Sequence, residues 1–171
     1  MIKKYIITFL VTVFSFVILS FSYYGYSSNL VFPIHSNYSI SSGYGYRTLG
    51  SSHLHNGIDI PCVVGTPVYA ISSGVISQIG FSSSYGHYII ITYSNGYKTL
   101  YGHMSGLYPF SVGDYVSSSD MVAYVGPKYL SDGKLNGFTT GPHLHFTVYK
   151  DNKLVDPTNV NFEYKKQVHN N

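Results

Sequence analysis

Charge is scarce in this chain. Charged side chains make up 10% of its 171 residues, against about 25% in an ordinary globular protein. Solubility must therefore rest on hydroxyls, amides and 19 tyrosines. The formal charge of +3 is concentrated at the ends, in Lys3 and Lys4 and again in Lys165 and Lys166. The centre is near neutral and carries no basic stripe, which excludes a nucleic-acid-binding surface. Cysteine is limited to Cys62, so no internal disulfide framework is possible. No motif frames Cys62 as a nucleophile, and it reads as a small apolar core residue. Glutamate occurs once, as Glu163 near the end, and a metallopeptidase base of the His-Glu-x-x-His kind is excluded with it. Ala, Leu, Glu and Lys, the usual helix builders, are sparse. No segment of ten or more residues after Ser28 keeps a helical period.

What is abundant is Gly, Ser, Tyr and Phe, the composition of short strands and many turns. Strand candidates are residues 66–71, 74–80, 87–93, 97–101, 122–125 and 143–149. Asn95-Gly96, between two β-rich runs, marks a hairpin. Such spacing predicts an all-β, mainly antiparallel sheet or sandwich core.

The start of the chain reads differently. Lys3 and Lys4 precede an apolar run from Tyr5 to Phe21, a positive region followed by a hydrophobic one. It is expected to be a hydrophobic helix, either a cleaved signal peptide or a retained membrane anchor, and it places the rest of the chain outside the cytoplasm. The expected organisation is this segment at 1–26, a linker at 27–37, a folded domain at 38–160 and a polar tail at 161–171.

Five of the eight histidines fall in three contexts: His53-Leu54-His55-Asn56-Gly57-Ile58-Asp59, Gly102-His103-Met104, and Pro142-His143-Leu144-His145-Phe146. Residues two apart on a strand share a face, so His143 and His145 present two imidazoles about 7 Å apart along the chain. Gly57 and the β-branched Ile58 and Ile60 favour extended chain between His55 and Asp59, where four apart is again one face. Two imidazoles and one carboxylate make three ligands, and a fourth position left to water marks a catalytic zinc. With glutamate excluded, proton transfer falls to His103 and His143, one as base and one supporting the intermediate or the leaving amine. His53 is a weaker competitor for the metal because its spacing to Asp59 is wrong. His35, His87 and His169 have no partner by sequence, and Asp114 and Asp156 read as turn residues. The tyrosines read first as strand packing and second as groove lining.

His55-Asn56-Gly57-Ile58-Asp59-Ile60, then Gly65-Thr66-Pro67-Val68-Tyr69-Ala70, then Gly102-His103-Met104, then Gly141-Pro142-His143-Leu144-His145-Phe146 together resemble the M23 peptidases. These are the lysostaphin-like or LytM-type peptidoglycan endopeptidases. The resemblance covers Pro33 to Pro157 and implies a β-sheet groove, one zinc ion, and hydrolysis of stem or cross-bridge peptides of peptidoglycan. It implies His55, Asp59 and His145 as zinc ligands, with His143 and His103 catalytic. It also offers Tyr46 as the counterpart of a tyrosine that stabilises the intermediate in some members. A monomer exported to the cell wall or periplasm, or held outward-facing at the membrane, follows as an expectation. Some relatives have lost metal residues and act as activators of other wall enzymes, so a non-catalytic wall-binding module that keeps a structural zinc is the alternative.

Overall fold

A computed structural model describes residues 29–47 and 53–163. The expected N-terminal helix lies outside them. Among the described residues the chain is built of thirteen strands and a single 3₁₀ turn at Pro157–Asn159. The first five strands are β1 (Leu30–Val31), β2 (Gly45–Arg47), β3 (His53–His55), β4 (Ile58–Pro61) and β5 (Pro67–Tyr69). There follow β6 (Gly74–Ser82), β7 (Gly86–Tyr93), β8 (Tyr97–Met104) and β9 (Tyr115–Val116). The last four are β10 (Met121–Tyr124), β11 (His143–Lys150), β12 (Lys153–Val155) and β13 (Phe162–Glu163).

The main sheet runs β12-β11-β8-β7-β6-β9, with β4 also paired to β11. Its pairings are antiparallel, as the sequence pattern predicts. β7 and β8 meet through Ser94, Asn95 and Gly96, and Gly96 takes the left-handed φ of +81° that a three-residue hairpin loop requires. Three small pairs flank the sheet: β1 with β13, β5 with β10, and β2 with β3.

Alternation decides which side chains reach the core. Ile58 and Ile60 of β4, and Leu144, Phe146 and Val148 of β11, are buried in one hydrophobic cluster. Asp59, His143, His145 and Thr147 must then stand on the other face. β4 and β11 pair with His145 directly opposite Asp59, which brings the carboxylate and the imidazole together from 86 residues apart.

Two expectations about boundaries need correction. Residues 27–37 do not form a linker throughout, because Leu30–Val31 is a strand and Val31, Phe32 and Ile34 are buried. Residues 161–171 are not all tail, because Phe162–Glu163 pairs in parallel with that strand. Apolar side chains at both ends found a shared core to enter.

Candidate metal and active site

Three side chains converge on one point. His55 Nε2 lies 3.1 Å from Asp59 Oδ1 and 3.1 Å from His145 Nδ1. His145 Nδ1 lies 2.8 Å from the same carboxylate oxygen. The donor atoms of a tetrahedral ion bound at about 2.1 Å sit roughly 3.4 Å apart, so this triangle is close to the size a divalent cation needs. His55, Asp59 and His145 form such a group of potential ligands, all within 4.8 Å of one another.

The remaining polar atoms of these three potential ligands are already engaged. His55 Nδ1–H donates to the Gly43 carbonyl at 2.7 Å, leaving Nε2 to bind. His145 Nε2–H donates to Thr147 Oγ1 at 3.0 Å and to Asn56 Oδ1 at 3.2 Å, leaving Nδ1 to bind. Arg47 Nη2 donates to Asp59 Oδ2 at 3.0 Å and to Ser42 Oγ at 2.6 Å, leaving Oδ1 to bind. Such outer bonds fix the tautomer and orientation of metal ligands. Protonation agrees with this. Burial opposes charge on Asp59, but hydrogen bonds and charges from His145 and His55 outweigh it and hold the carboxyl well below its usual range. Burial pushes His145 down, toward the neutral ring, against the pull of Asp59. Both groups therefore favour the deprotonated form that a metal binds. The donor set fits a divalent ion of the zinc type.

Two further imidazoles stand beside the triad. His143 Nδ1–H donates to the Gly141 carbonyl at 2.8 Å, and its Nε2 lies 3.6 Å from Asp59 Oδ1. His103 Nδ1–H donates to the Asn136 carbonyl at 2.7 Å. The two rings are 4.5 Å apart. Burial, then the neighbouring His143 and His145, lower the pKa of His103 to about 4 against the opposing pull of Asn136 and Asp59. All five sit in the wall of one cleft of about 490 Å³, large enough for a stretch of peptide.

The structure parts from the sequence reading at several residues. Asn56 and Gly57 break the extended chain between His55 and Asp59, which lie on separate strands β3 and β4. Gly57 sits so close to β11 that a Cβ there would meet the Phe146 carbonyl oxygen at 2.4 Å. Tyr46 is 77% exposed on β2 and is not among the residues lining the cleft. Tyr85, which sequence reasoning passed over, does line it. Its hydroxyl accepts from Asn56 Nδ2 at 2.5 Å, and its ring lies 5.4 Å from that of His145. Asn136 was also missed; nothing local in the sequence distinguishes either residue.

Residues 53–157 match Peptidase family M23. The chain is 37% identical over 125 residues to the DD-carboxypeptidase/endopeptidase Mpg of Neisseria meningitidis serogroup B, covering 71% of this chain and 26% of that protein. It is 37% identical over 114 residues to lysostaphin of Staphylococcus simulans, covering 65% of this chain and 21% of that one. The chain thus spans about a quarter of the length of these curated relatives. Among solved structures, a zinc-containing peptidase from Vibrio cholerae matches with a TM-score of 0.67 and 28% identity, over 79% of this chain and 41% of that one.

Proposed function

The chain belongs to peptidase family M23, and from that premise we propose that it is a zinc endopeptidase cutting peptide bonds of bacterial peptidoglycan. One observation carries the reading: three potential ligand atoms of His55, Asp59 and His145 converge beside two imidazoles whose Nε2 atoms meet no hydrogen-bond donor among the described residues. A purely structural metal site has no use for that second pair.

Held by His55 Nε2, Asp59 Oδ1 and His145 Nδ1, zinc supplies Lewis acidity toward a peptide carbonyl and toward water. The chain's own residues do the rest. His103 and His143 both commit Nδ1–H to a main-chain carbonyl, so in the neutral rings Nε2 is the basic atom. One Nε2 takes the proton of the attacking water, and the other ring, once protonated, bonds the developing oxyanion or protonates the leaving amine. Arg47, bonded to Asp59 Oδ2, keeps the carboxylate aimed. Tyr85 and Phe138 form part of the cleft wall against which a peptide lies. Peptidoglycan lies outside the cytoplasm, so the proposal places the working enzyme in the cell wall or periplasm, in keeping with an exported segment at 1–26.

The test uses purified walls of known chemistry and mass spectrometry of the released fragments. The parent protein should release new peptide amines, and a chelator should stop it until zinc is restored. Asp59→Ala and His145→Ala should lose bound zinc together with at least about a thousandfold of the rate, consistent with the barrier share of such groups. Full wall clearance by either variant, or a zinc-loaded parent that binds walls and cuts nothing, would leave only a binding module.

A further inference from the structure

We propose that Asn136, in the loop before β11, is the positioning residue that holds His103 in the cleft with Nε2 unprotonated; the inference rests on the reading of His103 as catalytic.

The need for such a residue comes from β8. Strand alternation places Tyr101 in the core, and Gly102 opposite His145. Continued regularly, the same alternation would send His103 into the core after Tyr101. Instead His103 takes a φ of +60°, an unusual conformation for a residue with a Cβ. The alternation restarts there, Met104 enters the core in its place, and His103 lines the cleft. The ladder with β7 slips at the same point, between the pairs His87–Met104 and Ile89–Tyr101. Backbone held this way persists only where its surroundings enforce it.

Asn136 supplies much of that enforcement. It is fully buried. Its Oδ1 accepts from the His87 N–H at 2.9 Å, and its Nδ2 donates to the Met104 carbonyl at 2.9 Å. The carboxamide thus stands between the ends of β7 and β8, where the slipped ladder needs one acceptor and one donor from a single short side chain. Of the short side chains, Asn presents both on one planar group, whereas ionised Asp only accepts and Ala offers neither. From the same residue the main-chain carbonyl accepts the His103 Nδ1–H at 2.7 Å. A carbonyl cannot donate, so the proton of the neutral ring stays on Nδ1. Two glycines make room for the wedge: a Cβ on Gly86 would come within 2.3 Å of Asn136 Oδ1, and one on Gly126 within 2.6 Å of Asn136 Nδ2. The chain is built around this side chain, although it touches neither metal ligand nor substrate in the proposed reaction.

The experiment is nitrogen NMR of the zinc-loaded protein labelled at histidine, paired with steady-state hydrolysis of a soluble wall peptide. In the parent, His103 should report a protonated Nδ1 and a bare Nε2. Asn136→Asp keeps the size and the acceptor but loses the donor, and Asn136→Ala loses both. Each should mix the His103 tautomers and lower kcat roughly a hundredfold, the scale of a small misplacement of a reacting group. KM should stay within about twofold, and bound zinc should equal the parent's. A parent His103 protonated at Nε2 overturns the inference even if neither variant folds. So do folded variants with unchanged His103 signals and unchanged kcat. His103→Ala separates the two readings: full turnover in that variant removes the catalytic role of His103, while the tautomer result still judges Asn136.

Discussion

At His103, a titratable ring is buried beside the candidate metal ligands. Its pKa falls from 6.5 to about 4, first because burial disfavours the imidazolium and then because His143 and His145 lie close. If His103 is the proposed base, it stays neutral, and so available, under mildly acid conditions. It also has a thermodynamic signature. Between the two values the unfolded ring binds a proton that the folded ring refuses, so stability rises with pH in this window. The contribution is fully present above 6.5 and is lost as pH falls toward 4. From pH 7 to pH 5 the loss from this one group should be about 2 kcal/mol, at roughly 1.4 kcal/mol per pH unit below 6.5. Urea unfolding of the metal-free protein at the two pH values checks it against His103→Gln, which cannot take up that proton. The variant should lose less stability between pH 7 and pH 5 by that amount; equal losses in both proteins would show that the ring is not held neutral by the fold.

Among the elements, β4 and β11 do most to assemble the site, and Gly57, just before β4, lies tight against β11. A Cβ there would meet the Phe146 carbonyl oxygen at 2.4 Å and Thr147 Oγ1 at 2.9 Å. Gly57→Ala must push β4 away from β11, and with it Asp59 from His145. It should cost about 1–3 kcal/mol, the usual range for overpacking, and weaken zinc binding by tenfold or more. Thermal unfolding and competition with a chelating dye measure the two effects. Gly43→Ala, where a Cβ meets nothing within 4 Å, serves as the control and should stay within about 0.5 kcal/mol. The same elements show what was legible beforehand. The His143 and His145 pair and the Asn95-Gly96 hairpin follow from local rules, alternation and turn chemistry, and both are present. The His55 to Asp59 spacing picks out two side chains that do meet, but by an incomplete argument. The chain breaks at Asn56-Gly57, and the two side chains meet only because β11 fixes the register of β4. The turn of His103 toward the cleft and the wedge of Asn136 lie beyond local rules altogether. They depend on one positive φ and on contacts spanning 32 to 49 residues.

Over the whole molecule, the two ends of the described chain close on each other beneath β11. Phe32 is 3% exposed, stacks on Tyr38 at 4.3 Å, and meets Phe162 and Phe146 edge-on at 5.4 and 6.2 Å. Phe146 follows His145 on β11, with its ring on the core face. Main-chain bonds add to the clasp: Val31 N–H donates to the Ile71 carbonyl at 2.8 Å, and Phe32 N–H to the Glu163 carbonyl at 3.0 Å. The sequence pattern reads residues 27–37 as a linker, with Ser27, Ser28, Asn29, Pro33, Ser36 and Asn37 diluting its apolar side chains. Its partner strand is only two residues long and 132 positions away, a pairing no local window can reveal. The distinction has a measurable consequence. A linker aromatic can be truncated freely, whereas truncating a core phenylalanine costs about 3–5 kcal/mol. Phe32→Ala should therefore lower the melting temperature of the zinc-loaded protein by roughly 10 °C, at 2–4 °C per kcal/mol for a domain of this size. A chain starting at residue 38 loses the whole of β1 and should melt lower still or fail to fold. Scanning calorimetry of chains starting at residues 29 and 38, with Phe32→Ala between them, decides the matter. A Phe32→Ala protein melting within about 2 °C of its parent would return residues 29–37 to the status of a linker, since a buried aromatic cannot be lost that cheaply.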